Sequence, residues 1–157
     1  MSERRGPRPL VLDTSVAAKW YLPEELREEA LELSARTGAG EAELLAPSIV
    51  VPELFNALFQ QHRRGYLSLD EVREFFFSFM EAPVYLFEID PLTSRATEIA
   101  LSADVIVYDA LFLALAEEAG TVMVTADGRL LRSLEGTSYA RLAHPLAGLD
   151  SLISGTG

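Results

Sequence analysis

The chain has 157 residues, of which 49% are apolar, 24% are charged and none is cysteine. These figures describe one globular domain spanning 1–157. They exclude a disulfide scaffold, a thiolate metal site and a cysteine nucleophile. The 24 acidic and 13 basic residues give a net charge of −11, which argues against a nucleic-acid binder held by a basic surface. A metal cation or a basic protein segment is the natural positive partner.

In chain order, Met1–Pro7 is expected to be loose, and its arginines lead almost at once to Asp13, unlike a signal peptide. Pro9–Leu12 is an apolar run that predicts a buried strand. Asp13, Thr14 and Ser15 then open a helix, all three being good N-cap types. Pro23-Glu24-Glu25 predicts the start of a second helix, with proline early and acids in the first turn, running to about Arg36. Leu44–Ala46 is a short strand. Ser48 is expected to cap a long helix through Arg64, ended by Gly65.

Ser68 with Glu71 has capping-box spacing for a helix to about Met80. Val84–Ile89 is a strand and Thr93–Ser102 a helix. Val107–Ala119 is apolar nearly all round, which predicts a buried helix. Thr121–Thr125 is β-rich, Asp127–Leu134 a short helix, Ala140–Ala143 a last strand, and Ser151–Gly157 a loose end. Short apolar strands alternating with helices predict an α/β fold with a mostly parallel sheet of four to five strands. No apolar run approaches the ~20 residues of a membrane span. The expected location is cytoplasmic, away from membranes.

In a parallel sheet, sites form at the carboxyl ends of the strands. Asp13 ends the first strand, and Asp127 follows the Thr121–Thr125 strand. Asp109 opens the buried helix, and Glu53 lies early in the long one. Each acid has a plainer reading: Asp13 and Asp109 as caps, Asp127 as a turn residue before Gly128, Glu53 as a solvated helix residue. Together they are harder to dismiss, because grouped carboxylates repel one another. Lys19 is the sole lysine available to pair with them. A divalent cation is the natural counter-charge, and oxygen-only ligands favour Mg²⁺ or Mn²⁺ over zinc.

The segments LVLDTSVAAKW, APSIVVPELFNAL, VYDALFLALAEEAG and VTADGRLL resemble the PIN-domain family. They look most like the VapC-type ribonuclease toxins of toxin–antitoxin pairs. The resemblance implies a PIN-like three-layer fold in which Asp13, Glu53, Asp109 and Asp127 hold Mg²⁺ or Mn²⁺ for hydrolysis of single-stranded RNA regions. It makes Asp13 and Asp109 direct ligands, with Glu53 and Asp127 as ligands or orienters of water. Thr125 matches a hydroxyl residue two positions before the last aspartate, and Asp104 is no firm family position. The family also implies a homodimer masked by a small antitoxin.

Supporting residues are read beside these acids. Thr14 and Ser15 help position a phosphate or cap the helix. Lys19, Arg129 and Arg132 are candidate RNA contacts. Arg63 and Arg64 fall at a helix C-terminus, where they offset the dipole. The helix from Ser68 carries a wide apolar arc, and Phe75 and Phe77 on its flanks are candidate interface residues.

Alternatives remain at this point: a PIN nuclease of RNA processing, or a catalytically silent PIN-fold binding module. A haloacid-dehalogenase-type phosphohydrolase would need an aspartate where Ser15 stands. A phospho-receiver would need a late lysine, which the chain lacks.

Overall fold

The computed structural model describes residues 5–154. Its centre is a five-stranded, wholly parallel sheet in the order β3-β2-β1-β4-β5. The strands are β1 (Arg8–Leu12), β2 (Ala42–Pro47), β3 (Val84–Phe87), β4 (Met123–Thr125) and β5 (Ala143–Pro145). Among the described residues, eight α-helices flank it in three layers: α1 (Thr14–Ala17), α2 (Arg27–Gly38), α3 (Val50–Arg63), α4 (Leu69–Met80), α5 (Thr93–Ala103), α6 (Val107–Glu118), α7 (Gly128–Leu134) and α8 (Leu149–Ile153). The α/β expectation holds, with five strands.

The core follows from the apolar runs. Leu10, Val11 and Leu12 of β1, Leu44 and Ala46 of β2, and Met123 and Val124 of β4 are buried. Helix α6 packs across β1, β2 and β4 and is buried without interruption from Ala110 to Ala116. A helix apolar on every side has this place in a layered fold, between the sheet and an outer helix. The outer helix is α5, which makes the largest set of contacts with α6. Between them the chain bends by 114° at a turn where Asp104 takes a left-handed conformation, φ 54°.

Strand order places the site. The first strand is central, β2 and β3 are added on one side, and β4 and β5 on the other. The winding therefore reverses between β1 and β4, and crevices for ligands open at such a reversal. The register pairs Leu12 with Val124, so the residues just beyond, Asp13 and Thr125, stand side by side.

Several boundaries differ from the sequence expectation. Helix α2 starts at Arg27, beyond the Pro23-Glu24-Glu25 signal. Glu24 is held by Lys19, and Leu26 takes φ 65°, so the chain must turn before it can coil. Ser48 does not cap α3: Ile49 occupies the cap position, and the Ser48 N–H donates to the Phe87 carbonyl at 2.7 Å. Gly65 ends α3 as expected, at φ 85°. The capping box of α4 is present in both directions between Ser68 and Glu71.

The last strand is displaced to Ala143–Pro145, because Ala140–Leu142 forms a 3₁₀ turn. The expected loose end is partly ordered: Ser151–Ile153 belongs to α8, whose Leu152 is buried. Arg5–Pro7 form no regular element. The rest of the loose ends expected at 1–7 and 151–157 lies outside the described residues. Among the described residues, no single helix is long and apolar enough to cross a membrane.

Candidate functional site

Four carboxylates meet at the carboxyl end of the sheet, each brought there by a different element. Asp13 ends β1 and is 6% exposed. Its backbone occupies the N-cap position of α1, yet its side chain makes no capping bond. Instead Oδ2 accepts from the Thr125 hydroxyl at 2.7 Å and from the Ser15 hydroxyl at 2.7 Å. Ser15 Oγ in turn accepts from the Ala126 N–H, and Thr125 Oγ1 accepts from the Asp127 N–H, both at 3.0 Å. This ring of bonds ties the end of β1 to the loop after β4. Asp13 is thus a helix cap through its backbone alone, its side chain being committed to the ring.

Glu53 lies in the first turn of α3, and its Oε1 accepts from the Thr14 hydroxyl at 2.9 Å. Thr14 and Ser15 are thus each bonded to a different acid of the group. Asp109 lies in the first turn of α6, but Ile106 holds the N-cap position. Asp127 caps α7, accepting from the Arg129 and Leu130 N–H groups through one oxygen, Oδ1. Its plainer reading as a turn residue is therefore part of its role, and Oδ2 is left over.

The electrostatics couple the four. Burial raises the pKa of Asp109 to about 7, and the charges of Asp13, Asp127 and Glu53 add to the rise. Asp13 is also raised, first by burial, although the hydroxyls of Thr125 and Ser15 pull the other way. Glu53 is raised by burial and by the Asp13 charge, against the Thr14 hydrogen bond. Among the described residues no lysine or arginine forms an ion pair with any of these acids. Carboxylates held together in partial burial without a counter-charge are destabilised in the ionised form.

A divalent cation would supply what the group lacks, and the all-oxygen donor set would suit Mg²⁺ or Mn²⁺. Among the described residues, no three His, Asp or Glu side chains stand close enough to cage an ion by themselves.

The other sequence candidates are distributed differently. Lys19 is 8% exposed and its ammonium is bonded to Glu24 at 3.0 Å, so it is not available for phosphate in this arrangement. Arg129 is exposed and lines a cleft with Asp109 and Asp127. Arg132 is exposed one turn further along α7. Arg63 lies over the Phe59 ring at 4.8 Å, and Arg64 ends α3. Phe75 is half-buried and stacks on Tyr21 at 5.5 Å. Phe77 is 61% exposed.

Sequence reasoning missed the surroundings of Asp104. With Ile106, Leu130 and Ser133 it lines the same cleft as Asp109 and Asp127. A left-handed aspartate at a helix end is indistinguishable from any capping acid until the α5–α6 bend is known. A larger groove of about 400 Å³ between α2 and α4, lined by Trp20, Tyr21, Leu31 and Ala82 among others, contains none of the four acids.

The chain is similar to known proteins over most of its length. The PIN domain family model matches residues 10–134, from within β1 to the end of α7. Ribonuclease VapC3 of Pyrobaculum aerophilum is 34% identical over 127 residues, covering 77% of this chain and 91% of that protein. The crystal structure of PAE2754 from the same organism superposes with a TM-score of 0.68 at 20% identity, covering 96% of this chain and 93% of that one. A toxin–antitoxin complex from Klebsiella pneumoniae gives 0.60 at 13% identity, with 87% and 97% covered. The matched span contains all four carboxylates and reaches four of the five strands, and on this footing the chain belongs to the PIN-domain family, in its VapC-type branch.

Proposed function

We propose that this protein is a Mg²⁺- or Mn²⁺-dependent endoribonuclease that cleaves single-stranded regions of RNA, and that it is the toxin of a VapBC-type pair. The observation that carries the reading is the meeting of Asp13, Glu53, Asp109 and Asp127 at the winding reversal, with no cationic side chain paired to them among the described residues. The likeness to a ribonuclease of the VapC type supports the substrate class. The likeness to a toxin–antitoxin complex supports a protein partner.

Asp13 and Asp109 are assigned as direct ligands, with Glu53 and Asp127 as ligands or as acceptors that orient bound water. Such an ion supplies charge for the phosphate and lowers the pKa of a water held to it. The chain's own part is to hold that charge in place. Thr125 and Ser15 donate to one Asp13 oxygen, which leaves the other directed by the ring of bonds rather than free to rotate. Thr14 does the same for Glu53. Asp109 sits near pKa 7, so its ionised form is available at neutral pH only in part until a cation is present. Arg129 and Arg132, exposed beside Asp127, are assigned to RNA contact.

The protein acts in the cytoplasm, as a homodimer bound by a small antitoxin whose basic side chain offsets the acidic site. The exposed aromatic side of α3 and α4, where Phe55 and Phe77 flank Phe76, is assigned to protein contact.

The test is direct. Single-stranded RNA and matched DNA are incubated with the protein and Mn²⁺, Mg²⁺ or EDTA, beside Asp13→Asn. RNA cleavage that needs the metal and falls about a thousandfold or more in the variant is expected, the scale seen when one member of a catalytic set is removed. Metal-independent cleavage, or full activity in Asp13→Asn, would overturn the assignment.

A further inference from the structure

A cleft of about 270 Å³ opens beside Asp109 and Asp127, between the α5–α6 turn and the first turns of α7. Its volume is just under the roughly 300–1,000 Å³ of drug-sized ligand pockets, a size for one planar ring system rather than an extended ligand. Its walls are of two kinds. Val105, Ile106 and Leu130 are apolar, and a hydrated cation has no use for such a surface. A nucleobase does, because its faces are apolar and only its edges are polar.

The polar groups lie at the opening. Asp104 is exposed, and among the described residues its carboxylate has no hydrogen-bond or ion-pair partner. The same holds for the Arg129 guanidinium across the cleft on α7. Ser133 Oγ donates to the Arg129 carbonyl at 3.0 Å, which leaves its lone pairs to accept. The cleft thus offers a two-oxygen acceptor on one element and a multiple donor on another.

Guanine matches that pair of demands. Its N1–H and N2–H₂ lie side by side on one edge and fit a carboxylate through two bonds. Its O6 and N7 lie on another edge and accept from arginine. Adenine, cytosine and uracil each present a single donor group to a carboxylate. Because the cleft shares Asp109 and Asp127 with the carboxylate cluster, a base held there belongs to the nucleotide next to the phosphate being cut. We infer that this cleft is a base pocket that selects a guanosine adjoining the scissile phosphate, with Asp104 and Arg129 reading its two edges. The inference rests on the nuclease reading above, and its test separates the two.

A random single-stranded RNA pool is cut by the wild-type chain with Mn²⁺, and the new ends are sequenced. Guanosine is expected at one fixed position beside the cut, and Asp104→Asn should reduce that enrichment by about tenfold, the order of discrimination carried by a good two-bond pairing. Asparagine also tolerates the left-handed backbone at this position, so the variant keeps the fold. Its Mn²⁺-induced rise in melting temperature should equal the wild type's, which separates base reading from metal holding.

A second measurement needs no cleavage. The Asp13→Asn chain is titrated into a short fluorescent RNA holding one guanosine, and into the same RNA with inosine there. Inosine lacks the N2 amine and is expected to bind about fivefold or more weakly. Cutting without guanosine enrichment, or enrichment unchanged in Asp104→Asn, overturns the base pocket and leaves the nuclease reading standing. No cutting, with inosine still discriminated, overturns the nuclease reading and upholds a guanine pocket. Equal affinity for the two RNAs overturns the pocket.

Discussion

Helix α6 begins in one environment and continues in another. Asp109, in its first turn, is half-buried among other acids, and burial there raises the free energy of its charge. From Ala110 to Ala116 the same helix is wholly buried among apolar side chains, and burial there is the source of stability. One peptide bond separates the two regimes. The folded state therefore holds the carboxylates against their repulsion because α6 is anchored immediately behind them. Site and core differ in what perturbs them: the core answers to volume, the site to charge.

The largest effect tests the core. Leu115 is 2% exposed, six residues beyond Asp109. Leu115→Ala should cost about 2–5 kcal/mol, the range for truncating a buried leucine, read from the shift in the urea midpoint. At this separation the two positions are far enough apart to act almost independently. The folded variant should keep its full Mn²⁺-induced stabilisation. Loss of that response would mean that the core sets the carboxylate geometry more directly than the contrast supposes.

The next effect tests the site. At a metal concentration of 100 Kd, binding stabilises a native state by about 2.7 kcal/mol. Asp13→Asn should remove most of that increment, because the buried Asp13 charge faces the cluster. Its apo stability should stay level or rise, since an amide oxygen still accepts from Thr125 and Ser15. Thermal melts with and without Mn²⁺ read both quantities. An undiminished Mn²⁺ shift in the variant would remove Asp13 from the ligand set.

A smaller effect isolates the repulsion itself. The Asp109 pKa is about 7 in the folded chain against 3.8 for the free side chain. Between those values the native state binds more protons than the unfolded one, so stability falls as pH rises. The favourable contribution of the protonated acid is complete below about pH 4 and is lost as pH passes through about 7. Asp109→Asn mimics the neutral acid. At pH 8 without metal it should melt about 2–4 °C higher than the wild type, corresponding to about 1 kcal/mol in a chain of this size. The figure is set below the full shift because Asp109 is only partly buried and solvent screens it. The gain should vanish at pH 4, and an equal gain at both pH values would assign it to packing instead of charge.

Much of this was legible in the sequence because it was local. An apolar run ending in an acid marked β1 and Asp13, and the Ser68–Glu71 spacing marked the start of α4. The all-apolar stretch after Asp109 marked the buried helix. What was not legible depended on partners distant in sequence or on chain reversals. The start of α2 is set by the Lys19–Glu24 pair and by the left-handed Leu26, which override proline and acids as start signals. The hydroxyl ring around Asp13 needs the β1–β4 register, which no local pattern encodes. The cleft beside Asp104 exists only because the chain bends by 114° there.

A last pair of substitutions separates two phenylalanines that periodicity places on opposite flanks of one stripe. Phe75 stacks on Tyr21 and packs against the core, while Phe77 meets Phe76 edge-on at 5.7 Å and is mostly exposed. Phe75→Ser should therefore destabilise the chain by about 1–3 kcal/mol, within the range for disturbing packed side chains. Phe77→Ser should change stability by less than about 0.5 kcal/mol, as at an ordinary surface position. Its effect should instead appear in assembly, since a well-exposed aromatic contributes most when a partner covers it. Urea titration reads the first quantity and light scattering the second. If Phe77→Ser leaves both the assembly state and antitoxin binding unchanged, the aromatic side of α3 and α4 is not the contact surface. The partner would then have to be sought elsewhere, at the exposed Leu101, Ile106 and Tyr108 around the α5–α6 turn, beside the carboxylates themselves.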